Sequence, residues 1–176
     1  MRLVVDANVF AAFFRVHIGA ALGEVTRDPS FIMNMDAKTH QIYLDSGGVL
    51  ETEWCATVDP NWCKEWMANA LIEGRLAYIE CGSDLALQSI LKNHGFPLKG
   101  SRDVWYLRLL KALQSIEESA MVTEDLDFYQ PDKKGVIKGS DRLDFIRDGG
   151  GNLKKALKKV GLTIFCVDAF YAAYLA

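Results

Sequence analysis

Long apolar runs are missing from this sequence. None approaches the ~20 residues that a membrane-spanning helix needs, so no membrane partner is expected. The opening turns acidic after only Leu3, Val4 and Val5, and does not read as a secretory leader either. Cysteine pairs at metal-binding spacing are missing too. Cys55, Cys63, Cys81 and Cys166 are scattered, with no C-x-x-C and no nearby histidine pair. That spacing argues against zinc and for reduced thiols serving as small buried hydrophobes, the usage of a cytoplasmic protein. Excess positive charge is also lacking: the net charge is −3, which excludes a basic surface that coats nucleic acid as a bulk effect. It does not exclude an acidic site that meets phosphates through metal ions. His17, His40 and His94 show no partner arrangement for acid–base work.

What is present is the balance of an ordinary globular chain, 50% apolar and 24% charged over 176 residues. That is enough for one domain, residues 1–176, with a sizeable core. Strand and helix patterns alternate. Leu3-Val-Val5 reads as a strand buried on both faces, as in parallel sheets, and Val9–Leu22 as a helix packed on it. His40–Asp45 is a second strand, closed by Ser46-Gly-Gly48, with Asp45 or Ser46 placed to cap the helix from Val49. Pro60 suits the first turn of another helix. Trp62 and Trp66 on it share one face, and belong to a core rather than a base-stacking platform. Leu76–Cys81 is a third strand. Ser83 caps the next helix, and His94-Gly95 ends it. Ser101 opens a helix with Asp103 in its first turn, where an acid also favours the helix dipole.

Ala120–Asp125 repeats the opening pattern, a short apolar run that ends in Thr and acids. Tyr129–Gly151 then shifts to Asp, Lys and Gly, and reads as a polar surface excursion. Asn152 caps a helix over Leu153–Val160, Leu162–Val167 is the last strand, and Asp168–Leu175 a closing helix. The alternation implies an α/β fold, a three-layer α/β/α sandwich around a central, mainly parallel sheet.

In such folds ligands bind in the crevice at the carboxyl ends of the strands. Asp6 ends the first strand and Asn8 follows it. As a local pattern they serve a helix cap as well as chemistry. Asp45, Glu53, Asp103, Asp125 and Asp127 also follow strands or open helices, positions from which they can converge on one edge. Clustered carboxylates raise one another's pKa, and a divalent cation relieves that penalty. An oxygen-only donor set suits Mg²⁺ or Mn²⁺ and the hydrolysis of phosphoryl groups.

Four pieces carry a family resemblance: Leu3-Val-Val-Asp-Ala-Asn8, the Asp45 to Glu53-Trp54 segment, Ser101-Arg-Asp103 at a helix start, and Val122-Thr-Glu-Asp-Leu-Asp-Phe128. In this order the chain resembles the PIN-domain ribonucleases over most of its length. The resemblance implies a fold of the same class. It also implies a cluster of acids that binds Mg²⁺ or Mn²⁺ and cleaves single-stranded RNA. By the same resemblance Asp6, Glu53, Asp103 and Asp125 are the catalytic, metal-binding acids, with Glu51 the fallback for Glu53. Asn8, Thr123 and Asp127 support them. Lys99 and Arg102 flank Asp103, where each either meets a substrate phosphate or is solvated surface, and general surface usage favours the latter.

A second reading is a PIN-like binding module in a larger assembly that no longer cuts. The filled set of acids favours the enzyme. A phosphoaspartyl hydrolase of the haloacid-dehalogenase type wants a second Asp where this chain has Asn8, and no Gly-rich phosphate loop exists. A nuclease of this kind is compatible with the toxin of a toxin–antitoxin pair, whose antitoxin protein plugs the acidic cleft, and with an RNA-processing enzyme. A homodimer is a further expectation, since many relatives dimerise.

Overall fold

A computed structural model describes residues 1–175. Its organising element is a five-stranded, all-parallel sheet in the order β3-β2-β1-β4-β5. The strands are β1 (Arg2–Val5), β2 (Gln41–Asp45), β3 (Leu76–Ile79), β4 (Ser119–Val122) and β5 (Ile164–Phe165). Leu3, Val4 and Val5 have no exposed surface, as a central strand covered on both faces requires. Helices flank the sheet, and the fold is a three-layer α/β/α sandwich.

The helices are α1 (Ala7–His17), α2 (Phe31–Asn34), α3 (Val49–Thr57), α4 (Pro60–Ile72), α5 (Leu85–Asn93), α6 (Asp103–Gln114), α7 (Gly139–Arg147), α8 (Asn152–Lys159) and α9 (Val167–Tyr174). None is long and apolar enough to cross a membrane. Helix α6 packs across β1, β2 and β4, and α1 packs against α3. An aromatic cluster fixes α3 on the sheet. Trp54 stacks on Phe10 with ring centroids 4.0 Å apart, and its Nε1 donates to Val5 O at 3.1 Å. Trp66 meets the Phe10 ring edge-on at 5.1 Å and Trp62 lies 5.6 Å from it, so both tryptophans pack as core neighbours.

Several local expectations shift. Helix α1 stops at His17, because Gly19 takes φ +69° and Ala20 N turns back to Arg15 O at 2.8 Å. The segment Phe31–Asn34 is a single helical turn. Asp84 rather than Ser83 caps α5, its carboxylate accepting from Leu87 N at 2.7 Å. Asn152 is the first residue of α8 and makes no cap; Gly151 precedes it at φ +114°. A Cβ on Gly151 would lie 2.2 Å from Tyr129 O, the same carbonyl that accepts from Leu153 N and Lys154 N. Two backbones meet there at a distance only glycine permits.

That contact closes the base of the Tyr129–Gly151 excursion, which is more ordered than its composition suggests. Tyr129 and Ile146 are fully buried, and α7 forms within it. Of the cysteines, all unpaired, Cys63 and Cys166 are buried while Cys55 and Cys81 are half-buried.

Candidate functional site

Strands β1 and β4 run side by side with Val5 opposite Val122. From β1 the chain crosses to β2 on one side, while β4 lies on the other with β5 beyond it. This is the point where a doubly wound sheet opens a crevice. The next residue of each strand enters it: Asp6 N donates to Val122 O at 3.0 Å, and Thr123 Oγ1 donates to Asp6 Oδ2 at 2.5 Å. Thr123 Oγ1 also accepts from Asp125 N at 3.0 Å. Asp125 Oδ1 in turn accepts from Asp127 N at 2.9 Å, which starts a 3₁₀ turn over Leu126–Phe128. The Thr-x-Asp-x-Asp spacing thus folds into a chain of local hydrogen bonds.

Asp103, in the first turn of α6, completes a cluster with Asp125 and Asp127. One carboxylate oxygen from each lies within 4.8 Å of the others, a set that can bind a metal ion. Asp6 and Glu53 stand beside it. Burial raises the Asp6 carboxyl far above the usual carboxylate range. The Thr123 hydroxyl opposes this, and the charges of Asp125, Asp103 and Glu53 add to it. Glu53 is raised by burial and by Asp103, against the hydroxyl of Tyr106 and the charge of Arg102. Asp103 is raised by burial, with Ser101 opposing and Asp125 adding. Each acid therefore feels the next, and a bound cation would relieve that repulsion.

Glu53 Oε2 is buried and has no hydrogen-bond partner, a costly state for a carboxylate oxygen unless something binds it. The donors are carboxylates alone, the chemistry that suits Mg²⁺ or Mn²⁺. The residues fit such an ion.

Not every acid that follows a strand enters this group. Asp45 spends its carboxylate on the start of α3, accepting from Val49 N at 3.0 Å and Leu50 N at 2.8 Å. Glu51 accepts from Tyr78 Oη at 2.9 Å, so of the two glutamates on α3 it is Glu53 that meets the cluster. Asn8 does not hold Asp6, as that bond belongs to Thr123. Its Oδ1 is buried without a partner, beside a cavity of about 210 Å³ that Arg15 and Arg142 also line. Arg102 precedes α6 near enough to act on Glu53. Lys99 is exposed in the preceding loop and pairs with none of the site acids.

Three residues were invisible to sequence reasoning. Tyr106 is fully buried on α6; its hydroxyl accepts from Ala7 N at 3.1 Å and stands against Glu53. Glu124 turns away from the cluster. It accepts from Thr26 Oγ1 at 2.6 Å and Val167 N at 2.9 Å, tying the Gly23–Thr26 loop to the start of α9. Lys134, from the excursion, forms ion pairs with Asp127 and, at 3.4 Å, with Asp125. Tyr106 lies on a helical apolar track and Lys134 among other lysines, so neither carried a signal; Glu124 adjoined a motif without belonging to it.

In comparisons with protein-family models, with curated proteins and with solved structures, nothing matches the chain.

Proposed function

We propose that the protein is a divalent-metal-dependent nuclease of the PIN type that hydrolyses phosphodiester bonds in single-stranded RNA. The observation that carries this reading is the meeting of Asp6, Glu53, Asp103 and Asp125, from four separate stretches of chain, at the sheet's switch point. RNA as the substrate follows from the motif resemblance.

Mg²⁺ or Mn²⁺ would be held by Asp6, Glu53, Asp103 and Asp125. When bound, such an ion supplies an activated water and charge stabilisation for the departing oxygen. The chain's own residues do the rest. Thr123 occupies Asp6 Oδ2 and so commits the other oxygen, Oδ1, to the site. Tyr106, locked between Ala7 N and Glu53, keeps the glutamate in place. Arg102 is exposed at the rim, where a guanidinium can meet a phosphate of the substrate strand.

The test is incubation of end-labelled single-stranded RNA with the purified protein in Mn²⁺ and in EDTA, alongside melting curves in both. Cleavage in Mn²⁺ alone, with a raised melting temperature, is expected. Absence of both cleavage and melting shift at millimolar Mn²⁺ and Mg²⁺ would refute the proposal.

A further inference from the structure

Lys134 follows the 3₁₀ turn Pro131–Lys133, where its backbone N donates to Pro131 O at 3.1 Å. Val136 N and Ile137 N both donate to Lys133 O and hold the turn further. From this exposed turn the side chain reaches inward. Its Nζ donates to Asp127 Oδ2 and stands 3.4 Å from Asp125 Oδ2. Among the described residues, it alone forms ion pairs with the site acids. Its charge also acts on Asp103, opposing the rise that burial gives that carboxyl. Lys134 thus engages every member of the Asp103–Asp125–Asp127 cluster, the three carboxylates that stand at metal-ligand separation.

The oxygens it meets are those a metal would use. Asp125 Oδ1 already accepts from Asp127 N at 2.9 Å. Asp125 Oδ2, the oxygen left for a cation, is the one that faces Nζ. The Asp127 side chain is 5% exposed, so its carboxylate has little water to turn to without the lysine. A Mg²⁺-sized ion binds carboxylate oxygens at ~2.0–2.1 Å, and on this cluster it has to sit between them. An ammonium bonded to two of the three acids fills the same space, and two cations that close repel each other. The lysine is able to leave: its side chain is 54% exposed and its four-carbon stem is flexible.

We propose that Lys134 holds the metal's place in the metal-free protein, and that a divalent ion enters the cluster by expelling its ammonium into solvent. The inference rests on the metal-dependent nuclease reading of the same acids. Metal binding is then an exchange of cations rather than the filling of an open site. Buried Asp127 keeps a counter-charge in both states. The cost falls on affinity, because the metal meets a competent site only in the fraction of molecules whose lysine has swung out.

The test is Mn²⁺ titration, with free Mn²⁺ read by electron paramagnetic resonance, alongside melting in EDTA and in saturating Mn²⁺. The proteins are wild type, Lys134→Met, Lys134→Gln and the control Lys138→Met, whose lysine is exposed in the same excursion. A lysine in place about nine-tenths of the time weakens binding about tenfold, so both Lys134 variants should bind Mn²⁺ about tenfold tighter than wild type, and Lys138→Met within about twofold of it. In EDTA the Lys134 variants should melt below wild type, because Asp125 and Asp127 lose their cation, and in Mn²⁺ that deficit should vanish. Mn²⁺ affinity in both Lys134 variants equal to or weaker than wild type, or a gain that Lys138→Met shares, overturns the inference. Tighter binding in the Lys134 variants, with no RNA cleavage by any of the proteins, keeps it while sinking the nuclease reading. Cleavage by wild type, with affinity unchanged in the Lys134 variants, does the reverse. No bound Mn²⁺ in any of the proteins overturns both.

Discussion

Thr123 donates its hydroxyl to Asp6 Oδ2 at 2.5 Å, across 117 residues of chain. The two residues stand one step beyond Val5 and Val122, which are paired in neighbouring parallel strands. The bond therefore joins the sheet's register to the chemistry of its edge. It satisfies one oxygen of a carboxylate that is only 4% exposed and that feels the charges of Asp125, Asp103 and Glu53.

Asp6→Asn is expected to stabilise the metal-free protein. Burial and neighbouring acids raise the Asp6 carboxyl well above its ordinary range. A carboxyl raised in the folded state contributes stability fully below its unfolded pKa, and loses it as the pH rises through the folded value. An asparagine carries no such penalty and its Oδ1 still accepts from Thr123. At neutral pH in EDTA the variant should melt about 2–4 °C above wild type, the shift of ~1 kcal/mol in a domain of this size. The gap should close toward pH ~4, the ordinary carboxylate range. Melting curves from acid to neutral pH check it; a gap that widens toward acid would contradict it.

Thr123→Val removes the donor to Asp6 and leaves Asp125 N without its acceptor. An unsatisfied buried polar group costs ~1–3 kcal/mol, so a melting temperature lower by several degrees is expected. Loss of a residue that orients a metal ligand costs about 10–100-fold in metal affinity, readable by Mn²⁺ titration. Thr123→Ser keeps the hydroxyl and should recover most of that affinity.

Glu53 and Glu51 share α3 but have different partners. Glu53→Gln should weaken Mn²⁺ binding by at least 10-fold, since its buried Oε2 has no partner in the protein and a ligand carboxylate would be lost. Glu51→Gln alters only a surface bond with Tyr78. Its stability should stay within ~0.5 kcal/mol of wild type and its Mn²⁺ affinity unchanged. Equal losses in the two variants would contradict the assignment of Glu53.

Arg142 holds two carbonyls at once, Glu124 O at 2.5 Å and Glu24 O at 2.6 Å. Arg142→Ala should cost ~1.5–3 kcal/mol, the range for hydrogen bonds to charged groups. Faster amide exchange is expected over 23–26, the loop that Glu124 anchors through Thr26. Exchange that rises uniformly over the whole chain instead would show that Arg142 does not act on that loop in particular.

The legible parts of the fold and the site were those written in local pattern. Leu3-Val-Val5 announces a doubly buried strand, and the alternation that follows fixes the fold class. Asp6 sits one residue past β1, Asp125 three past β4 and Asp103 opens α6, positions that topology brings together, while Glu53 lies one turn further into its helix. What stayed hidden depends on side-chain direction. Asp45 sits at a strand end as Asp6 does, yet Gly47 and Gly48 let the chain fold back so that Val49 N and Leu50 N consume its carboxylate. Glu51 and Glu53 differ only in which side of α3 they face, and that is set by Trp54 docking on Val5 O. Lys134 sits in a stretch where more than half of the residues are charged or glycine, and the anchoring of Tyr129 at Gly151, with the Arg142 bonds, holds that stretch beside the site.

The proposed activity is cleavage of RNA by the acids at the switch point with a divalent ion. The direct measurement is cleavage of end-labelled single-stranded RNA in Mn²⁺ by wild type and Asp6→Asn, purified identically and each shown by melting to be folded. Wild type is expected to cleave in a manner that EDTA abolishes, and Asp6→Asn to show no cleavage above background. Cleavage by Asp6→Asn at the wild-type rate would contradict it.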